Sequence, residues 1–313
     1  MLLLLQYTVI YASVLIMVAL GGMISERSGV INLGLEGIMV IGALGGALTM
    51  RFLPADTSAF LIVLLTILIS ALCGVLYSLL LAVAAVSFRA DQTIVGTAMN
   101  MLAAAFATVV VKAINTAANP DNVSATVQYI EPKKAFILNI GSFEFNYFMA
   151  LAVIFLAAAW VMLYKTRFGL RLMACGEHPQ AADSVGINVT RMRYAGVLLS
   201  GMLGGIGGIV YITAGVSEWK FENGVAGFGF LALAVMIFGQ WKPFRIAGAA
   251  LLFGLFRSLS NVYAGIPTLE ALGLPGTVYN MLPYIISLIV LALTSKKSRA
   301  PKAEGIPYDK GLR

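Results

Sequence analysis

The run AFLIVLLTILISALCGVLYSLLLAVAAVSF, residues 59–88, contains no charged side chain and no proline. As one helix it would extend about 45 Å, longer than the roughly 30 Å hydrocarbon layer of a bilayer. It is therefore expected to tilt, to kink near Gly74, or to project beyond the membrane. Eight further apolar stretches flank it, near 5–22, 33–50, 93–112, 147–164, 194–214, 227–240, 244–263 and 278–294. The stretch 227–240 is short and reads as a broken or partial span. Hydrophobic residues make up 60% of the chain and charged residues only 11%, more apolar surface than a soluble core can absorb. The expected fold is all-α, a polytopic membrane protein with about nine transmembrane helices. The leading stretch lacks a basic flank and a cleavage site, so it reads as a retained first span rather than a signal peptide.

Lys and Arg distribute unevenly over alternate connections. With the N-terminus outside, the inner side holds Arg27, Arg89, five basic residues between Lys165 and Arg193, Lys242, Arg245 and six in the tail 296–313, fifteen in all. The outer side holds five, namely Arg51, Lys112, Lys133, Lys134 and Lys220. The positive-inside rule then places the N-terminus outside and the C-terminus inside. Membrane orientation accounts for the net charge of +7, and no basic patch interleaved with aromatics points to nucleic acid. Cys73 and Cys175 have neither metal-ligand spacing nor a disulfide framework. The outer connection 113–146 is a solvated connector or a surface for an extracytoplasmic partner.

Between Lys165 and Arg193 the chain becomes polar, KTRFGLRLMACGEHPQAADSVGINVTRMR. Pro179 suits the first position of a short helix continuing to Val185, and Gly186 can take the left-handed conformation that ends it. The lone histidine, His178, lies beside Pro179 and reads as a cap or an exposed side chain. A second pattern is a weak internal symmetry. A span ending in Gly21-Gly22 leads into the polar break SERSGVINLGLEG, and the span ending near Gly207-Gly208 leads into TAGVSEWKFENGVAGFGF. The spacing makes the two copies an inverted repeat, about 5–112 and 194–295. Close helix packing through small residues is the competing explanation of the glycines.

Residues 180–186, QAADSVG, resemble the EAAxxxG loop of ABC importer permeases, the cytoplasmic helix that inserts into a groove on the ATPase, with Gln180 in place of Glu. Residues 21–39, GGMISERSGVINLGLEGIM, resemble the signature of nucleoside and simple-sugar permeases in the branched-chain amino acid and ribose permease superfamily. Further similarity lies in Gly176-Glu177-His178-Pro179-Gln180-Ala181-Ala182, in Ser200-Gly201 with Leu203-Gly204-Gly205, in Gly227-Phe228-Gly229-Phe230 and in the tail 300–311, so it covers nearly the whole chain. The resemblance implies one permease domain, 1–295, with a cytoplasmic coupling loop, 165–193, and a basic cytoplasmic tail, 296–313. It implies Gly176, Glu177, Pro179, Gln180, Ala181, Ala182, Asp183 and Gly186 as the ATPase-coupling residues. It also implies an ABC ATPase subunit carrying ATP and Mg, with no cofactor on this chain. A second homologous permease in a heterodimer, an extracytoplasmic substrate-binding lipoprotein and a bacterial cell membrane complete the implied assembly. Nucleosides are the implied solute, with a simple sugar or riboflavin as the alternative.

Several polar and aromatic residues in the spans are candidates for the solute pathway. Asn32 and Glu36 stand four apart, on one helical face if the helix has begun. A charge deep in a span costs roughly 3 kcal/mol, so Glu36 faces a polar interior, a partner or a pathway, or lies shallow at the positive end of its helix. Asn32 lines that route or caps the helix. Phe228 and Phe230 flank flexible glycines and either stack on a base or sugar face or pack. Asn100 and Asn261 are amides that read a purine edge or bridge helices. Arg257, four residues before Asn261, pairs with it or reaches the outer interface.

No GxxxxGK[ST] phosphate loop occurs, so ATP hydrolysis belongs to another polypeptide. HExxH, CxxC and GxSxG are absent as well. The chain reads as a transporter subunit rather than an enzyme. A secondary transporter, the other class of rival, needs an ion-binding constellation at the midplane, and Glu36 is the one convincing acid there.

Overall fold

The computed structural model describes residues 2–54, 56–127, 129, 134–141, 143–214, 219–265, 275–294 and 300–311. The helices are α1 Leu2–Arg27, α2 Leu35–Phe52, α3 Ala59–Ala82, α4 Gln92–Ala118, α5 Tyr147–Lys165, α6 Arg167–Glu177, α7 Pro179–Ser184, α8 Val189–Ala214, α9 Phe228–Phe238, α10 Pro243–Val262 and α11 Gly276–Thr294. Among the described residues, seven helical stretches, not nine, are long and apolar enough to cross a membrane. The expected eighth and ninth runs form α10 and α11, but neither is among the seven. α10 carries Arg245 and Arg257, which lower its apolar character.

Helix starts follow the sequence chemistry. Asp91 Oδ1 accepts the Thr93 and Ile94 amides at the head of α4, and Asn146 Oδ1 accepts the Phe148 amide at the head of α5. Burial separates the helices by role. α1 and α8 are mostly enclosed, whereas α3 presents Leu64, Leu68, Leu72 and Leu76 outward, as a bilayer-facing helix must. α8 is the hub of the bundle, packed on α1, α2 and α3.

Gly74 does not interrupt α3. The helix runs unbroken to Ala82 and ends in a π-helical turn, Val83–Ser87. Instead Gly74 meets the backbone of Gly201 and Gly205, so that α3 and α8 approach more closely than any side chain allows. Close packing is thus a structural use of the glycine-rich stretch that opens the second half.

The connection 113–146 is more than a solvated strand of chain. α4 occupies its start, and a hairpin of β2 Ile137–Ile140 and β3 Phe143–Asn146 ends it. β1 Thr126–Val127 pairs antiparallel with β4 Trp219–Lys220, next to the second break, and Lys112 bridges Glu222 at 2.8 Å. Lys133, Lys296, Lys297, Arg299, Arg313 and the 215–218 part of the second break lie outside the described residues.

Candidate functional site

The two interrupted segments meet inside the bundle. The first lies between α1 and α2; the second precedes α9. Glu36, in the first turn of α2, reaches across, its Oε1 accepting the Gly227 amide at 2.8 Å and its Oε2 the Gly229 amide at 2.6 Å. Gly227 holds the cap position of α9 and has no side chain to cap it. The carboxylate therefore supplies the missing acceptor and places negative charge at the positive end of the helix. Gly229 permits the approach, because a Cβ there would lie 2.5 Å from Glu36 Cα.

Aromatic rings surround this junction. Phe228 packs between Tyr11 of α1 and Tyr211 of α8, with ring centroids 5.6 and 4.8 Å away. The Arg257 guanidinium of α10 lies 5.5 Å from the Phe228 ring centre. Asn261, one turn further along α10, donates to the Tyr11 hydroxyl, which leaves aside the first of the two alternatives, a pairing of Asn261 with Arg257. The Tyr284 hydroxyl of α11 donates to the Ala226 carbonyl at 3.2 Å. Five helices, α1, α2, α8, α10 and α11, thus converge on the start of α9.

The candidate residues divide accordingly. Glu36, Phe228 and, through Tyr11, Asn261 come together. Asn32 is fully buried: its side chain donates to Ser200 Oγ at 2.9 Å and accepts the Gly34 amide at 3.1 Å, while Gly34 rather than Asn32 holds the cap position of α2. Asn100 accepts the Gly37 amide and donates to the Leu33 carbonyl, both at 2.8 Å. These two amides staple the first break to α8 and α4. Phe230 points outward, 51% exposed. Tyr11, Tyr211 and Tyr284 escaped the sequence reading, since a tyrosine within an apolar run gives no local sign of which face it occupies.

At one end of the bundle, the polar island forms two helices, α6 and α7. α6 was not anticipated, although Thr166 caps it by accepting the Gly169 amide. Pro179 opens α7 and Gly186 has φ +84°, as expected. Gln180, Ala181 and Gly186 are exposed, with Ser184 and Val185 beside them, and Asp183 is half-buried. Pro179, Ala182 and Gly176 face inward, and Glu177 reaches Arg27 at 3.7 Å. Ala182 packs with Cys175 and Val189, so it belongs to the base of the island and not its outer surface. Arg193, one of the island's five basic residues, is buried at 1% exposure.

Residues 4–293 match the family described as branched-chain amino acid transport system, permease component. The chain belongs to this permease family. It is 42% identical to a guanosine ABC transporter permease of Bacillus subtilis, NupQ, over 98% of this chain and 96% of that one. It is also 42% identical to a nucleoside ABC transporter permease of Lactococcus lactis, NupC, over 96% of this chain and 95% of that one. A second nucleoside permease of that organism, NupB, is 23% identical over 93% of this chain and 80% of its own. No solved structure matches the chain. Permease proteins of this kind are transport components rather than enzymes.

The permease clasps its island with its own C-terminal segment. The Ala303 amide donates to the Gly176 carbonyl at 2.8 Å, Arg193 Nη1 donates to the Ile306 carbonyl at 2.9 Å, and Arg89 pairs with Asp309 at 2.6 Å. Residues 300–311 therefore pack against the island and the first break instead of trailing free. Burial pushes the Glu304 carboxyl above the ordinary range, where it hydrogen-bonds Glu26 of α1. The Asp309 carboxyl is held low by the Gly311 amide and by Arg89.

Proposed function

We propose that this permease is the membrane-spanning subunit of an ATP-binding-cassette importer for nucleosides in a bacterial cell membrane. The observation that carries the reading is 42% identity, over nearly the full chain, to permeases named for guanosine and nucleosides. The junction of Glu36, Phe228 and the start of α9 is the proposed solute route, in an inverted repeat with the N-terminus outside. Asn261 lies beside this route, and Asn32, Asn100 and Phe230 shape the helices around it.

Its partners are a pair of ATPase domains that hold ATP and Mg, an extracytoplasmic lipoprotein that delivers solute, and a second, different permease. The lactococcal relatives support that last point, since the chain resembles one of two nucleoside permeases far more than the other. The exposed face of α7, with Gln180 and Ala181, and the turn that ends it, Val185 and Gly186, dock on the ATPase. α8 follows the island directly and is the packing hub, so a push on α7 is delivered to the helices around the route. ATP drives the cycle only by favouring one arrangement of the assembly over the other.

Uptake of radiolabelled guanosine by vesicles holding the whole assembly tests the solute class. Unlabelled nucleosides are expected to compete, and ribose and riboflavin are not. Competition by ribose or riboflavin alone would overturn the reading.

A further inference from the structure

Arg257 stands out among the charges inside the bundle. Its Nε is sealed from solvent without a partner, while the two terminal nitrogens keep solvent access. Among the described residues the guanidinium forms neither a hydrogen bond nor an ion pair, and its contact is the face of Phe228. Glu36, the acid that shares Tyr211 as a neighbour with Arg257, spends both oxygens on the amides of α9. An unpaired guanidinium within a membrane protein is costly, and such residues are retained where they meet a solute.

The chemistry of this group narrows the solute. Guanidinium is a planar fork of donors with no acceptor, and stacking on an aromatic ring fixes its plane. It suits a ligand that presents two adjacent acceptors. A neutral ligand with paired acceptors can meet this fork without bringing a second charge into the bundle. Among nucleosides, a 6-oxopurine offers O6 and N7 side by side, whereas adenine offers N7 beside an amino donor, which faces the fork with the wrong sign.

Resting on the nucleoside reading above, we propose that Arg257 is a specificity-determining residue. Its fork donates to the O6 and N7 edge of 6-oxopurine nucleosides such as guanosine and inosine, and it selects them over adenosine.

Inosine and adenosine differ in the base edge at issue, so the test compares their uptake as labelled solutes in vesicles holding the full assembly. The wild type is expected to prefer inosine by ~10-fold. R257Q should shift the preference toward adenosine, because a glutamine amide offers the donor and acceptor that adenine requires. R257K, with charge but no fork, should reduce the ratio. The amount of assembled complex in the membrane is measured for each variant. An unchanged ratio, or an equal loss for both solutes in both variants, would show Arg257 to be merely structural and overturn the proposal. A wild type that takes up neither solute, or is competed by a free amino acid, overturns the nucleoside reading itself.

Discussion

At the scale of single residues, one carboxylate joins the two halves of the chain. Glu36 takes the capping role that Gly227 cannot fill, and loss of such an acceptor costs about 1–2 kcal/mol. E36L is therefore expected to lower the thermal midpoint of the solubilised complex and to alter uptake kinetics, with E36Q milder. Equal midpoints for E36L and the wild type would remove the capping role. Glu36 was legible as a candidate because a lone acid in an apolar run demands a partner. Its partner was not, since backbone amides carry no mark in a sequence. Asn32 and Asn100 each allowed two readings for the same reason: an amide that staples backbone and one that reads a solute look alike in one dimension. Glu304 supports a prediction of its own. Burial raises its pKa, while the hydrogen bond with Glu26 and the nearby Arg27 act the other way, so the docked tail binds a proton more readily than a free tail. Docking is then fully favoured below the ordinary carboxylate range and weakens as pH rises through the raised value. Hydrogen exchange at 300–311 should speed up with rising pH beyond its intrinsic dependence, and E304Q should flatten that excess.

At the scale of elements, the apolar runs predicted the helices well, and their edges less so. α1 continues through Arg27, because Ser25 and Glu26 find partners within the fold and do not end the helix: Ser25 Oγ donates to the Val30 carbonyl and Glu26 accepts from Trp241. The island's α7 was legible from Pro179 and Gly186, whose backbone preferences act locally. The orientation of α7 was not, because burial of Ala182 depends on Cys175 and Val189. A181W, on the exposed face, is thus expected to uncouple ATP hydrolysis from uptake severalfold while the complex still assembles. Measuring both rates on one preparation decides it: unchanged coupling in A181W would mean that α7 does not seat in the ATPase.

At the scale of the whole molecule, the charges sort to two ends. Arg27, Arg89, Arg193 and the tail contact one another's neighbourhoods at the island, whereas Arg51 bonds Asn115 and Lys112 bonds Glu222 beside the paired strands β1 and β4. The tail's return onto the island was not legible in the sequence, being built from backbone amides and a buried arginine. S184C should react with an impermeant thiol reagent from the cytoplasm only, and V123C from outside only. Burial pushes the Cys175 thiol up to about 11, which keeps it unreactive beside S184C. The reverse labelling would invert the topology and detach the island from any ATPase. The central claim is that this chain forms the route through which ATP drives nucleoside import. Proteoliposomes holding the ATPases and both permeases, supplied with the binding lipoprotein, should accumulate labelled guanosine when ATP is present on the ATPase side, and should fail to do so when this chain is omitted. Accumulation that persists without this chain, or that proceeds equally without ATP, would contradict the account.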